Sequence, residues 1–201
     1  MLGNYDNIQT WDAYIGQTTA KRVIQTLITR EPFPNLLFAG NSGCGKTTLA
    51  YLVSRQIKKK FTELSADSDV EDIVNHYFQG VKVFLFDEIH CIRKPERFFS
   101  VLDKKKIVLS DQTIDLFGIV FIGATTCPGK LQEPFLNRLF RIQLEEYTEQ
   151  DIAKIVKNKS VKDLINLTDN TSLEIAKRSK FVPRVALQLL DYAERHASIS
   201  R

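Results

Sequence analysis

The run GNSGCGKT at residues 40–47 stands between an apolar stretch, NLLFAG (35–40), and a segment of helical periodicity, KTTLAYLVSRQIKKK (46–60). The pattern G-x-x-x-x-G-K-[ST] in that setting predicts a strand, a glycine loop and a helix in succession. Gly40, Gly43 and Gly45 let the backbone turn tightly enough for its N–H groups to face phosphate oxygens. The start of the helix adds its partial positive charge at the same place. Lys46 is expected to reach the β- and γ-phosphates of a nucleotide, and the Thr47 hydroxyl to ligate Mg²⁺. Cys44 and Thr48 complete the expected lining of the loop.

The rest of the first two thirds alternates in the same way. Strand-length runs FTEL (61–64), VKVFLFD (81–87), GIVFIGA (118–124) and RIQL (141–144) are separated by helical patterns, DVEDIVNHYF (69–78) and a stretch around 94–103. Continuous apolar runs between helices point to a parallel sheet buried on both faces. KIVLSDQTIDLFG (106–118) holds two alternating runs about SDQ, which predict a short hairpin before the fourth strand of that sheet. After Glu146 only helical periodicity remains, in TEQDIAKIVKN, SVKDLINL, TSLEIAKRSK and VPRVALQLLDYAERHA, several opening on a Ser, Thr or Pro start signal. The expected architecture is α/β: a five-stranded parallel sheet between helices over residues 1–146, then a small all-α domain over 147–201.

Two acids close the third of these runs. Asp87 and Glu88 fall at the C-terminal end of a buried strand, the edge where open α/β sheets bind ligands. Asp87 is expected to hold Mg²⁺ directly or through water. Glu88 is expected to orient or deprotonate the attacking water at a γ-phosphate. His90 reads as a structural or supporting group rather than a metal ligand. The run IGATT ends on two hydroxyls, Thr125 and Thr126, of which strand alternation sends only one toward a nucleotide.

Bulk composition narrows the setting. The chain has 201 residues, 43% hydrophobic and 26% charged, with a net charge of +4, which suits a soluble globular protein and only weakly suggests nucleic acid. Its densest positive spots, Lys58–Lys60 and Lys104–Lys106, read as solvated faces or phosphate contacts. Three scattered cysteines suit a reducing cytosol better than a disulfide framework or zinc site. MLGNYDNIQTWDAYIGQ shows no secretion signal and no apolar run reaches membrane-spanning length, so the expected location is the cytoplasm.

The segments YIGQ (14–17), GCGKTTLA (43–50), LFDEIH (85–90), FIGATT (121–126), EPFLNR (133–138) and AKRSKFVPRVALQLL (176–190) span nearly the whole chain in order. In them the sequence resembles the AAA+ ATPases and, among these, the RuvB-type motors of Holliday-junction branch migration. The resemblance implies a P-loop AAA+ core with a helical lid, ATP and Mg²⁺ between the two, and a homo-oligomeric ring, expected to be a hexamer. It assigns Tyr14 and Ile15 to the adenine, Thr126 to sensor 1, Arg138 to the arginine finger acting on a neighbour, and Arg184 to sensor 2 on the γ-phosphate.

The function so implied is a DNA-dependent ATPase driving a helicase or branch-migration motor in recombination, repair or replication. The alternatives are a clamp-loader or helicase-loader ATPase acting on a protein partner, and a truncated regulator that binds nucleotide without motor activity. The chain departs from the RuvB pattern in four places. It stops at Arg201 without the winged-helix domain, its hairpin is shorter, RLF stands where the family has Arg-Phe-Gly, and Cys91 replaces a basic residue. The nucleotide machinery therefore carries over more fully than junction binding, and the chain is expected to be a trimmed or naturally minimal relative.

Overall fold

A computed structural model describes residues 8–109 and 112–199. Five strands, β1 (Leu36–Ala39), β2 (Lys60–Leu64), β3 (Val81–Phe86), β6 (Val120–Thr125) and β7 (Phe140–Gln143), form a sheet in the order β2-β3-β6-β1-β7. All four pairings are parallel. A separate antiparallel hairpin joins β4 (Lys106–Leu109) to β5 (Gln112–Asp115); its turn residues, 110 and 111, lie outside the described residues.

Alternation along the central strands builds two cores. Leu36, Phe38, Val83, Leu85, Val120 and Ile122 enter one, beneath α1 (Thr18–Ile28) and α2 (Lys46–Gln56). Leu37, Phe84, Phe86 and Phe121 enter the other, beneath α3 (Val70–Phe78), α4 (Phe99–Lys104) and α5 (Glu133–Leu136). In the second core Phe86 stacks on Phe121 with ring centroids 4.9 Å apart, and Phe98 meets Phe86 edge-on at 5.0 Å. Each such buried ring contributes about 1.5–3 kcal/mol by leaving water. The double burial explains why β1, β3 and β6 read as apolar runs broken among them only by Lys82 near the start of β3 and the closing Thr125 of β6, while the edge strands β2 and β7 carry exposed positions.

Three helices follow: α6 (Glu149–Lys162), α7 (Asp169–Arg178) and α8 (Pro183–Ile199). α6 opens on a capping box between Thr148 and Asp151, and Thr168 caps α7 by accepting from Thr171 N–H. Ile152, Val156, Ile175, Ala176, Ala186 and Leu190 join the core that also holds α2, so these helices pack on that side of the sheet.

Two predicted helices end differently from expectation. The helix expected to run to Lys60 stops at Gln56, and the one expected over SVKDLINL is absent, its first residues completing α6. Both ends have one cause. Lys58 (φ 55) and Leu164 (φ 59) take the left-handed conformation, with Lys59 N–H bonding Ser54 C=O at 3.0 Å and Ile165 N–H bonding Ser160 C=O at 2.8 Å. This double-wound cap is the one glycine usually closes. No described helix is long and apolar enough to cross a membrane.

Candidate nucleotide site

The glycine loop joins β1 to α2 at the carboxyl edge of the sheet. Gly45, at φ 89, is the N-cap of α2, a left-handed position that a side chain would strain. A Cβ there would lie 2.8 Å from Tyr14 Oη and 3.2 Å from Tyr147 Oη. Those two buried phenols support the loop from below: Tyr14 donates to Gly45 C=O (3.1 Å) and Tyr147 to Cys44 C=O (3.2 Å). Burial pushes both phenols above their ordinary pKa, which keeps them protonated as donors. Burial likewise raises the Cys44 thiol, against the opposing pull of Lys46.

Lys46 is 6% exposed, and its ammonium donates to the carbonyls of Gly40 (2.9 Å) and Asn41 (3.0 Å). A buried cation, a loop whose glycine leaves no space for a Cβ, and a helix start form a cradle that fits phosphate. Thr47 and Thr48, half-buried, begin α2 on the same loop.

β6 lies between β1 and β3, with Thr125 paired to Ala39 and Gly123 to Phe86. Gly40 N–H reaches Thr125 C=O at 3.1 Å. The acids after β3 are therefore two strands from the loop. Asp87 is exposed and accepts from Glu88 N–H at 3.1 Å. Glu88 itself sits at φ 49, ψ 50, an unusual conformation for a residue with a side chain.

The Glu88 carboxylate is held by Thr126, whose hydroxyl donates at 3.0 Å and whose N–H donates at 3.2 Å. His90 Nδ1 lies 3.2 Å from the same carboxylate and 2.9 Å from Thr125 Oγ1. Thr125 is fully buried and accepts from Cys127 N–H at 3.0 Å. The alternation thus turns Thr125 into the fold and Thr126 onto Glu88. On the edge strand, burial raises the Glu63 carboxyl, and the charge of Asp87 adds to the rise.

Arg184 and Arg138 occupy opposite surroundings. The start of α8 leans on the loop: a Cβ on Gly43 would lie 2.7 Å from Val182 Cγ1 and 3.6 Å from Arg184 Cβ. Arg184 is exposed there, just after two left-handed residues, Lys180 (φ 52) and Phe181 (φ 62). Arg138 instead follows α5, across the sheet from α2. Its Nε donates to Asp103 Oδ2 at 2.8 Å, a second nitrogen donates to Pro134 C=O, and the guanidinium lies 4.6 Å from the Phe99 ring centre. The fold therefore brings Lys46, Thr126, Glu88 and Arg184 to one edge and leaves Arg138 apart from them.

Tyr14 and Ile15 are both buried, the Tyr14 hydroxyl being engaged by the loop. Sequence reasoning missed Tyr147 and Gln17. Gln17 clamps the chain beyond β7 by two bonds to the backbone of Glu145, at 2.7 and 2.9 Å. Tyr147 belongs to no motif, and Gln17 closes the YIGQ segment without a role assigned to it; only the long-range fold shows what the two support.

Comparison with known proteins agrees with this geometry. Residues 36–147 match the ATPase family associated with various cellular activities (AAA). The Holliday junction branch migration complex subunit RuvB of Aliarcobacter butzleri is 36% identical over 203 residues, covering 90% of this chain and 58% of the relative. RuvB of Pseudothermotoga lettingae is 30% identical over 213 residues, covering 96% of this chain and 62% of the relative. The chain thus spans about six tenths of the length of these relatives.

Among solved structures, a proline-to-glycine mutant of Thermotoga maritima RuvB superposes with a TM-score of 0.86 at 25% identity, over 96% of this chain and 68% of that one. An alanine-to-serine mutant of the same protein gives 0.85 at 25% identity, over 96% and 67%. The family match covers more than half of the chain, and with the loop, the acids and the sheet order it leads to one conclusion: the chain belongs to the AAA family of ATPases.

Proposed function

We propose that this chain is the ATP-binding and ATP-hydrolysing module of a RuvB-type DNA motor, a DNA-dependent ATPase working as a homo-oligomeric ring, expected to be a hexamer, in the cytoplasm. The observation that carries the reading is the Glu88 carboxylate fixed by Thr126 at the edge that holds the Lys46 loop. Glu88 polarises a water for in-line attack on the γ-phosphorus, and Thr126 sets the direction of its carboxylate. Lys46 exchanges the carbonyls of Gly40 and Asn41 for phosphate oxygens. Thr47 and Asp87 would supply oxygens to a Mg²⁺ ion, whose charge would offset that of the phosphates.

Residues 1–146 form the nucleotide-binding domain in this reading, and residues 147–201 form the lid that carries Arg184 to the γ-phosphate. Ile15 borders the adenine, while Tyr14 serves the same side of the site by backing the loop. Arg138 acts on the site of a neighbouring subunit. Its position across the sheet from α2 supports that assignment. An arginine finger accelerates hydrolysis by about 10³–10⁵-fold, so dilute monomer should be a poor ATPase.

The test is the ATPase rate per subunit against protein concentration, alone and with duplex or four-way-junction DNA. A rate that climbs with concentration and rises further on junction DNA is the expected result. A flat rate would defeat the shared site. Stimulation by a sliding clamp or a helicase alone would transfer the chain to the loader class. For the finger, Arg138→Ala and Glu88→Gln chains, each inactive alone, should recover activity on mixing.

A further inference from the structure

The end of α2 remote from the glycine loop opens on a cavity of about 540 Å³ whose lining includes Arg55, Lys58, Lys59 and Lys60 and no acidic residue. α2 has 11 residues, so this cavity lies roughly 16 Å from the phosphate loop. Beside it the amino ends of β3 and β6 present two aromatic rings to solvent, Phe78 at 73% and Phe117 at 74% exposure.

Hydrogen bonds make cavity and rings one surface. Lys59 Nζ donates to Gly118 C=O (2.8 Å), Lys82 Nζ to Phe117 C=O (3.2 Å) and Lys60 Nζ to Gln79 C=O (3.1 Å). Tyr77 Oη accepts from Phe117 N–H at 3.1 Å, and its ring meets that of Phe78 at 5.9 Å. Phe117 is therefore flanked by Lys59 and Lys82, with Phe78 one ring away.

Among the described residues none of Arg55, Lys58, Lys59, Lys60 and Lys82 joins an ion pair. The acceptors of Lys59, Lys60 and Lys82 are backbone carbonyls, which leave the charge whole. The nearby acids Asp103 and Asp115 are paired to Arg138 and Lys106.

We propose that this basic, aromatic surface at the amino edge of the sheet binds single-stranded nucleic acid, its phosphates against Arg55 and Lys58–Lys60 and its bases stacked on Phe117 and Phe78. A groove of unpaired cations tracks a backbone of any sequence, and exposed rings take the faces of unpaired bases, which a duplex keeps hidden. The surface needs nothing from the ATP site and goes beyond the function proposed above.

The probe is a fluorescent oligothymidine, titrated by anisotropy into the full chain at several salt concentrations, with a duplex of equal length and polyglutamate as competitors. Binding preferential to the single strand is expected. Phe117→Ala should weaken it about tenfold. Arg55→Gln with Lys58→Asn should weaken it and lower the slope of log affinity against log salt by about 0.7 per cation removed.

Lys46→Ala should bind the oligonucleotide as well as the parent, which separates this surface from the ATP site. All three variants should keep the parent's circular dichroism. Duplex competing better than single strand, polyglutamate competing equally well, or the Phe117→Ala and Arg55→Gln/Lys58→Asn variants matching the parent in affinity and salt slope would each overturn the proposal. Polyglutamate success would assign the surface to an acidic protein partner instead.

Discussion

Gly45 at the carboxyl edge of the sheet and Gly80 at its amino edge have nearly the same backbone angle, φ +89 and +85, in opposite surroundings. A Cβ on Gly45 would strike Tyr14 Oη at 2.8 Å, whereas one on Gly80 would meet nothing within 4 Å. The contrast extends to the lysines. At the carboxyl edge Lys46 is folded beneath its loop, while Lys58 and Lys60 at the amino edge stand in solvent. One edge is a cradle whose shape the backbone sets. The other is an open surface that loops from separate parts of the chain assemble.

The sharpest break of that contrast is Lys46→Ala. In the proposed site, removing the one buried ammonium of the cradle would delete charge-assisted bonds to two phosphates, each worth about 1.5–3 kcal/mol. ATP affinity should fall at least about a hundredfold in a calorimetric titration, and unchanged affinity would reject the loop as the phosphate site. The same change at Lys58 or Lys60 should leave ATP affinity untouched.

The glycines come next. Gly45→Ala combines left-handed strain with a collision against Tyr14 and should cost about 2–4 kcal/mol of stability. Gly80→Ala carries the strain alone and should cost about 1 kcal/mol. Urea midpoints measure both. Equal losses would mean that the tyrosines give way and that the cradle is softer than its contacts suggest.

Thr126→Val removes the hydroxyl that orients Glu88. ATP should still bind, while kcat falls about 10–100-fold, because one donor to a catalytic carboxylate is worth on the order of 1.5–3 kcal/mol. Thr125→Val should do the reverse. It leaves Cys127 N–H without its acceptor and takes from His90 one of its two partners, so stability falls by about 1–2 kcal/mol. Steady-state kinetics and thermal melts on the two variants give the comparison, and a kcat loss confined to Thr125→Val would exchange the two roles.

The two edges also differ in how far the sequence discloses them. At the carboxyl edge the glycines and Lys46 fall in one short run, and Asp87 and Glu88 in another, because a tight turn and a strand end each need only a few neighbouring residues. Three adjacent buried strands then follow from their apolar runs. What support the cradle needs from afar escapes local reading: Tyr147 and Gln17 are recruited by tertiary packing and carry no spacing signal. The premature ends of α2 and α6 are hidden for a related reason. Lys58 and Leu164 take positions where glycine would have announced the stop. At the amino edge the lysine triplet 58–60 is visible as charge, but the loops that gather it with Phe78 and Phe117 come from three separate crossovers of the sheet.

Lys105 tests the contrast from inside the amino edge, where it is the half-buried exception. Its ammonium donates to Asn35, which is itself buried and bonded to Leu102 C=O and Phe121 N–H. Burial lowers its pKa from 10.5 to about 8, with Lys59 adding to the fall and Asp103 opposing it. Below pH 8 the folded and unfolded chains are both protonated there, and the cost of burying the charge is borne in full. Between pH 8 and 10.5 the folded chain loses this proton while the unfolded chain keeps it, so stability must rise with pH across that window. Lys105→Met should remove the rise. Urea unfolding at pH 7.5, 9 and 10.5 should show the parent gaining about 2 kcal/mol on the variant over that range. Parallel profiles would mean that Lys105 is as solvated as its neighbours and that the amino edge has no interior of its own.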